Sequence, residues 1–342
     1  FPWSGRPDIL VSASAVGSTM QGQCSRLVCP ESQEPLRRLE GELQTAGGRS
    51  YPVVGGIPRF VAAENYAGAF GEQWKKFPKT QLDSATSIPL SATRLQRCLR
   101  RPLESLQGQL VLEAGSGAGR FTEVLLAHGA VVDSFDYSAA VEANRDNNGG
   151  HPNLCLVQAD VRHIPFPEAT YDLVLCLGVV QHTPDPEETI RSLWSRVRPG
   201  GMLVFDHYRA KVRNFLPPPL GVAGMAYRWY FLSLPKERRF ASVKRVVDFW
   251  FPIVWRFRKS YPIQFLLSRL NPIVNYYPHF GLRDREMYYE WMLLDTHDAM
   301  TDVFKHRRTR RQILRLLESL GGAEIEVTHG GNGVEASCRK PQ

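Results

Sequence analysis

A chain of 342 residues, 43% of them apolar, is long enough for a full catalytic domain with additions and a sizeable core. It contains no run of eighteen uncharged apolar residues and no cationic patch followed by an apolar stretch at its start, so the expected compartment is the cytoplasm, with membrane association open only at the surface. The net charge of +8 suits nucleic acid, anionic lipid or a phosphorylated substrate without choosing among them, and six scattered cysteines argue against a disulfide framework and for reduced thiols.

Residues 1–22, rich in Ser, Gly and Ala and without periodicity, are expected to form a mobile leader. Residues 23–62 carry turn signals at Gly47-Gly48 and Gly55-Gly56 and suggest a small β-rich unit, too short to stand alone. Helical stretches over 66–77 and 91–106 fill a lid or linker segment, 63–108. Between 109 and 206 short apolar runs alternate with amphipathic ones, the pattern of βα units on a parallel sheet. The predicted strands are 110–114, 131–135, 155–158, 173–177 and 202–205. The predicted helices are 119–128, 139–147 and 187–196, the last stopped by Pro199-Gly200-Gly201. From His207 the rhythm breaks into Pro217-Pro218-Pro219 and a tract rich in aromatics and cations, an insertion over 207–302. A helix over 310–320, a strand over 324–328, a glycine-rich turn and a strand over 334–339 make the last segment, 303–342, a closing hairpin at the sheet edge.

The chemistry concentrates where the first strand of this alternation runs through Glu113 into Gly115, Ser116, Gly117 and Gly119. Glycines at alternate positions let the backbone turn tightly and let a ligand approach the main chain. Taken alone, such a loop suits many nucleotides. The next strand ends in Asp136, followed by Tyr137 and Ser138. A carboxylate there accepts both ribose hydroxyls and disfavours a phosphorylated ribose, with Ser138 as the expected helix N-cap. The third strand ends in Asp160-Val161, the fourth in Leu177-Gly178.

Acid, then Gly-x-Gly-x-Gly, resembles motif I of the class I S-adenosylmethionine-dependent methyltransferases, and the later strand ends match that family in order and spacing over roughly a hundred residues. The resemblance implies an α/β fold, a Rossmann-like seven-stranded mostly parallel sheet with a C-terminal antiparallel hairpin, here with a small β-rich N-terminal module and a mainly helical insertion. It implies S-adenosyl-L-methionine as cofactor. Glu113 would orient the loop and the methionine part, Asp136 would hold the ribose, and Asp160 with the Val161 N–H would read the adenine. Trp74 falls where related enzymes carry a lid helix over the cofactor, and its aromatic face would attract the sulfonium; a buried interdomain contact is the equal alternative.

The stretch from Leu27 through Cys29 and Ser32 to Phe60 resembles a small zinc-ribbon-like module that precedes some bacterial methyltransferases. Ser32 stands at the second ligand position and the later pair is lost around 46–49, so no metal is expected there. Cys155 and Cys176, in predicted buried strands, are expected as small core residues.

Transfer to a hydroxyl benefits from a base. The pool is His182, His207, Asp295 and His297, with His182 equally able to sit in a turn bonded to backbone. The aromatic stretch 249–259, bordered by cations, fits a peripheral membrane contact, a dimer contact or the roof of a substrate pocket. The cations of 305–311 suggest a solvated helix start. The expected activity is O-methylation of a small-molecule, glycan or lipid-linked acceptor. The alternatives are methylation of an RNA base, for which nucleic acid would be the partner, and a non-catalytic cofactor-binding or partner-activating subunit.

Overall fold

The computed structural model describes residues 24–62, 71, 74, 76–212, 223–275, 281–282 and 284–342. The expected leader, Phe70 and Gln73 beside the lid, and the triple proline lie outside the described residues; Gly71, Trp74 and Lys76, from the 66–77 stretch, are helical.

The first unit is a four-stranded antiparallel sheet in the order β1 (Arg37–Leu39), β2 (Glu42–Gln44), β3 (Ser50–Val54), β4 (Ile57–Pro58). Too small to enclose a core, it buries Leu27, Cys29, Leu43 and Tyr51 against the main sheet. Arg26 lays its guanidinium on Asp133 at 2.7 and 2.8 Å, and the Tyr171 hydroxyl donates to the same buried carboxylate at 2.8 Å. A disulfide joins Cys24 to Cys155 across 131 positions of sequence. This corrects the expectation of reduced thiols for that pair: residues so distant in the chain give no spacing signal, and only folding brings them together. Cys29, Cys98, Cys176 and Cys338 are buried free thiols.

The main sheet has the strands β5 (Leu110–Ala114), β6 (Val131–Asp136), β7 (Leu154–Gln158), β8 (Tyr171–Cys176), β9 (Val197–His207), β10 (Ala323–Gly330) and β11 (Gly333–Arg339), in the order β10-β11-β9-β8-β5-β6-β7. Strands β5 to β9 are parallel, β11 is antiparallel to β9, and β10 to β11, which is the expected Rossmann-like arrangement with its closing hairpin. Successive residues serve opposite faces. Val111, Leu173 and Val204 pack with helices α2 (Leu90–Leu99) and α3 (Arg120–Ala127), which follow the single-turn α1 (Asp83–Thr86). Leu112, Val174 and Phe205 pack with α5 (Pro186–Arg196), α10 (Arg310–Ser319) and the N-terminal unit. The helix after β6 is α4 (Ala140–Asn148). From β5 the chain builds outward to β7 and then returns to β8 on the other side, so a crevice opens at the strand ends where the order reverses.

Two boundaries differ from the sequence reading. The 91–106 helix is two pieces, because Arg100 is left-handed (φ +56°) and Pro102 disfavours helix in the residue before it; α2 ends at Leu99 and one 3-10 turn covers Leu103–Leu106. Pro199-Gly200-Gly201 lies within β9 rather than before it, since the Gly200 N–H donates to the Lys340 carbonyl and the Gly201 carbonyl accepts the Lys340 N–H, at 2.9 Å each, extending the ladder beyond β11. The start of α5 is fixed by Asp185, whose side chain accepts the Glu187 and Glu188 N–H groups at 2.9 and 3.0 Å ahead of Pro186.

The insertion is helical: α6 (Gly224–Ser233), α7 (Lys236–Arg256), α8 (Tyr261–Leu270) and α9 (Arg285–Thr301) enclose their own apolar cluster around Phe231, Val247, Phe251 and Met292. Among the described residues no helix is long and apolar enough to cross a membrane.

Arg26→Met leaves Asp133 buried with one hydroxyl for a partner. The expected loss is about 3 kcal/mol of unfolding free energy in urea, part of it recovered in Arg26→Met/Asp133→Asn, where no charge remains buried. A loss below about 1 kcal/mol would mean that Arg26 does not hold the N-terminal unit in place.

Candidate functional site

One cavity of about 1000 Å³ opens at the C-terminal ends of β5 and β8. Its floor is the glycine loop. Gly115 (φ +77°) turns so close to Val179 that a Cβ would lie 2.2 Å from a methyl carbon, and Gly117 (φ +54°) lies under the Trp74 indole, 3.3 Å from where its Cβ would be. The Phe135 carbonyl accepts both the Gly115 and Ser116 N–H groups, at 2.8 and 3.1 Å, tying the loop to β6. Gly119 does not line the cavity; it lets α3 approach Asn144 of α4.

Asp136 ends β6 at the cavity wall. One carboxylate oxygen accepts the Gly117 N–H at 2.8 Å, the other the Ser138 N–H and hydroxyl at 2.8 and 2.7 Å, while burial pushes its pKa up. Ser138 therefore acts through Asp136. It sits one residue ahead of the helix N-cap, Ala139, and takes the Ala140 N–H at 3.1 Å. Tyr137, Val161, Leu177, Gly178 and Trp74 line the same cavity. Asp160 does not, its carboxylate being held by Arg162 at 2.6 Å. Ser116 presents a buried hydroxyl with no hydrogen-bond partner among the described residues.

Glu113 lies beneath the loop, outside the cavity lining. It accepts the Thr122 and Ser134 hydroxyls at 2.5 and 2.8 Å, and burial pushes its pKa up to about 7 against those hydrogen bonds.

The opposite end of the cavity is built by the 3-10 turn Val180–His182 after β8, by Tyr208 just past β9, and by α9 with its C-terminal loop. Asp302, 2% exposed, gathers Arg228, the His182 Nδ1 at 2.9 Å and the Lys305 ammonium at 3.4 Å. The same His182 nitrogen lies 3.3 Å from the Phe304 carbonyl, which places its proton on Nδ1 and its lone pair on Nε2. The Tyr208 ring stands edge-on to His182, 5.2 Å between centroids. Burial lowers the His182 pKa, against the pull of Asp298, and pushes Lys305 down to about 7. Gln181 is fully buried and lines the cavity with neither side-chain amide atom hydrogen-bonded among the described residues; one oxygen of Asp298 is in the same condition.

Of the expected acid and base candidates, the structure brings His182 and Asp295 to the cavity and sets His207 and His297 apart from it. Trp291, Leu294, Asp295 and Asp298 follow the i, i+3, i+4, i+7 spacing of one helical face. His297 falls outside that set and stands edge-on to Phe240 at 5.3 Å. His207 is buried at the end of β9, its Nδ1 3.1 Å from the Tyr208 carbonyl, and alternation gives the cavity to Tyr208 instead. Burial takes both histidines down to about 4, so both are neutral at pH 7. Sequence reasoning missed Tyr208, Asp298 and Lys305. The helical spacing would have found Asp298. Lys305 is a correction, read as a solvated cation and found buried beside Asp302, with α10 starting only at Arg310.

Because the folded Glu113 holds its proton up to about 7 and the unfolded one only to about 4.5, its stabilising contribution is fully present below about pH 4.5 and lost as pH rises through about 7. Relative to Glu113→Gln, the wild-type protein is expected to lose on the order of 3 kcal/mol between pH 4.5 and 8, measured by urea unfolding across that range. Parallel curves would show that Glu113 ionises normally.

Residues 112–205 match the family model described as a methyltransferase domain. The chain is 29% identical over 134 residues to a ubiquinone biosynthesis O-methyltransferase of Coxiella burnetii, covering 39% of this chain and 55% of that protein. It is 29% identical over 127 residues to the protein of that name from Pseudomonas putida, covering 36% and 53%. The chain thus spans about half the length of these relatives. Among solved structures, human N-acetylserotonin methyltransferase in complex with S-adenosylmethionine overlays with a TM-score of 0.46 at 14% identity, covering 82% of this chain and 61% of that one. Magnesium protoporphyrin IX methyltransferase from Synechocystis gives 0.42 at 14%, covering 80% and 95%.

Proposed function

We propose that this chain is an S-adenosylmethionine-dependent methyltransferase acting on an oxygen of a small organic acceptor. The observation that carries the reading is that one continuous cavity joins the glycine loop and Asp136 to the buried His182–Asp302 cluster. Its volume, about 1000 Å³, is at the top of the range for a single-ligand pocket, room for a cofactor and an acceptor together.

The residues fit the cofactor. The floor is bare of side chains at Gly115 and Gly117, with the Trp74 indole over Gly117, Asp136 stands at the end of β6 for the ribose hydroxyls, and the Ser116 hydroxyl is a buried group with no partner among the described residues. Val161 lines the same cavity and would meet the adenine, and Trp74 covers the loop. When bound, S-adenosylmethionine supplies an electrophilic methyl group on a sulfonium.

What the protein adds is position, a dry site and a place for one proton. The buried Gln181 amide and the half-buried Asp298, each with a side-chain atom lacking a partner among the described residues, hold the polar acceptor. The His182 Nε2 takes the acceptor's hydroxyl proton, the Phe304 carbonyl accepts from Nδ1 and orients the ring, and Asp302, 2.9 Å from that nitrogen, offsets the positive charge that develops. The lowered pKa keeps His182 in its basic form at neutral pH. The name of the matched relatives supports oxygen as the atom methylated.

Calorimetric titration with S-adenosylmethionine tests the cofactor half: Asp136→Ala is expected to weaken binding by at least about tenfold, the loss of a charge-assisted pair of hydrogen bonds. A folded wild-type protein that does not bind overturns the reading. Transfer of labelled methyl into fractionated extract, read by mass spectrometry, tests the acceptor half. A labelled small molecule supports it, labelled RNA replaces it, and binding without any transfer assigns the non-catalytic role. His182→Ala is expected to lower kcat about 10²- to 10⁴-fold with cofactor affinity unchanged. In the wild type the acid limb of the rate profile should lie below pH 6.5, since burial moves His182 below its ordinary value.

A further inference from the structure

Helix α8 is built inside out. Its polar Gln264 is buried, donating to the Val254 carbonyl at 3.0 Å and bonded to Asn275, whereas Tyr261, Phe265, Leu266 and Leu270 are 75, 49, 59 and 52% exposed. These side chains share one arc of the helix, with Leu267 and Gln264 on the opposite side. A row of four large apolar groups facing solvent on one helix marks a contact surface.

The charge along this segment of the chain has a single sign. No Asp or Glu occurs between Asp248 and Asp284, while Arg256, Arg258, Lys259 and Arg269 all fall beside or within α8. Arg256, the last residue of α7, and Lys259, in the turn before α8, are exposed, and the Arg269 guanidinium lies 4.8 Å from the Phe265 ring centroid. Immediately after α8 the chain reaches Val274, which donates to the Thr296 hydroxyl at 3.0 Å and lines the cavity. The chain that carries this face thus runs on into the cavity wall.

We infer that α8 and the preceding turn dock this protein on an anionic lipid surface, with Tyr261, Phe265, Leu266 and Leu270 entering the headgroup boundary and Arg256, Lys259 and Arg269 meeting the phosphates. Apolar residues on one face bordered only by cations is the composition of an interfacial helix. A second copy is the poorer occupant, since two such faces bring four cations against four with no carboxylate in either segment. The inference does not depend on the methyltransferase reading.

The test is flotation of the full chain with vesicles of phosphatidylcholine, with and without phosphatidylglycerol. Binding is expected only where phosphatidylglycerol is present, weakening with salt. It should fall about tenfold or more in Phe265→Ser/Leu266→Ser and in Arg256→Glu/Lys259→Glu, and persist in Phe265→Trp. Circular dichroism and S-adenosylmethionine titration of the same variants, expected to match wild type, separate loss of docking from loss of fold or of the cofactor site. Failure of the folded wild type to float, or equal flotation by the serine and glutamate variants, overturns the inference. So does a wild-type dimer in sedimentation equilibrium that becomes monomeric in the serine variant without any vesicle binding.

Discussion

Asp206 is the carboxylate on which the shape of the cavity depends. It lies fully buried near the end of β9 and accepts the Gly178 N–H at 2.7 Å, the Arg94 guanidinium and the Asn332 amide at 3.3 Å. Those partners are 28, 112 and 126 positions away in sequence, and each belongs to a different piece of the cavity wall: the loop after β8, helix α2 and the β10–β11 turn. An ionised carboxylate without partners would be prohibitive in such a place. Satisfying it forces three distant segments to converge at the sheet's C-terminal edge.

The same device recurs at the other two junctions of the molecule. Asp133, buried on β6 beside the edge strand β7, receives Arg26 and so seats the N-terminal unit, whose own apolar content is too small to fold by itself. Asp302 receives Arg228, His182 and Lys305 and so joins the helical insertion to the turn after β8. The consequences at Asp302 are chemical as well as structural. Burial draws the lysine down to about 7 and lowers the histidine below its ordinary value, so neither carries the charge state it would favour at the surface. The insertion thus contributes one wall of a cavity whose floor comes from the sheet.

How much of this was legible in the chain follows from the range of the interactions. The strands and helices of 109–206, the glycine loop and Asp136 could be read because each is set by neighbours in sequence: an alternation with period two, a turn that only glycine permits, a carboxylate at a strand end. Ser138 and Asp160 stood at the expected places, yet their side chains turned to nearer partners, Asp136 and Arg162. The acceptor end was less legible. His182 and His207 look equivalent in a list of candidate bases, and the pleat of one strand end decides that Tyr208, not His207, meets the cavity. Lys305 begins a run of cations that resembles a solvated surface, and nothing local announces that Asp302 will hold it inside.

The sequence by itself determined the alternation of five parallel strands with helices, the position of the glycine loop and the carboxylate at the end of its second strand, because hydrophobic period, backbone permission and strand-end placement are local properties of a chain. Only the tertiary structure decided that Cys24 pairs with Cys155, that Asp206 gathers Arg94, Gly178 and Asn332, and that His182, Tyr208, Asp298 and Lys305 share one cavity. Those contacts join residues many positions apart. They exist because burying a charge or closing a core is favourable only when the whole sheet has already brought the partners together.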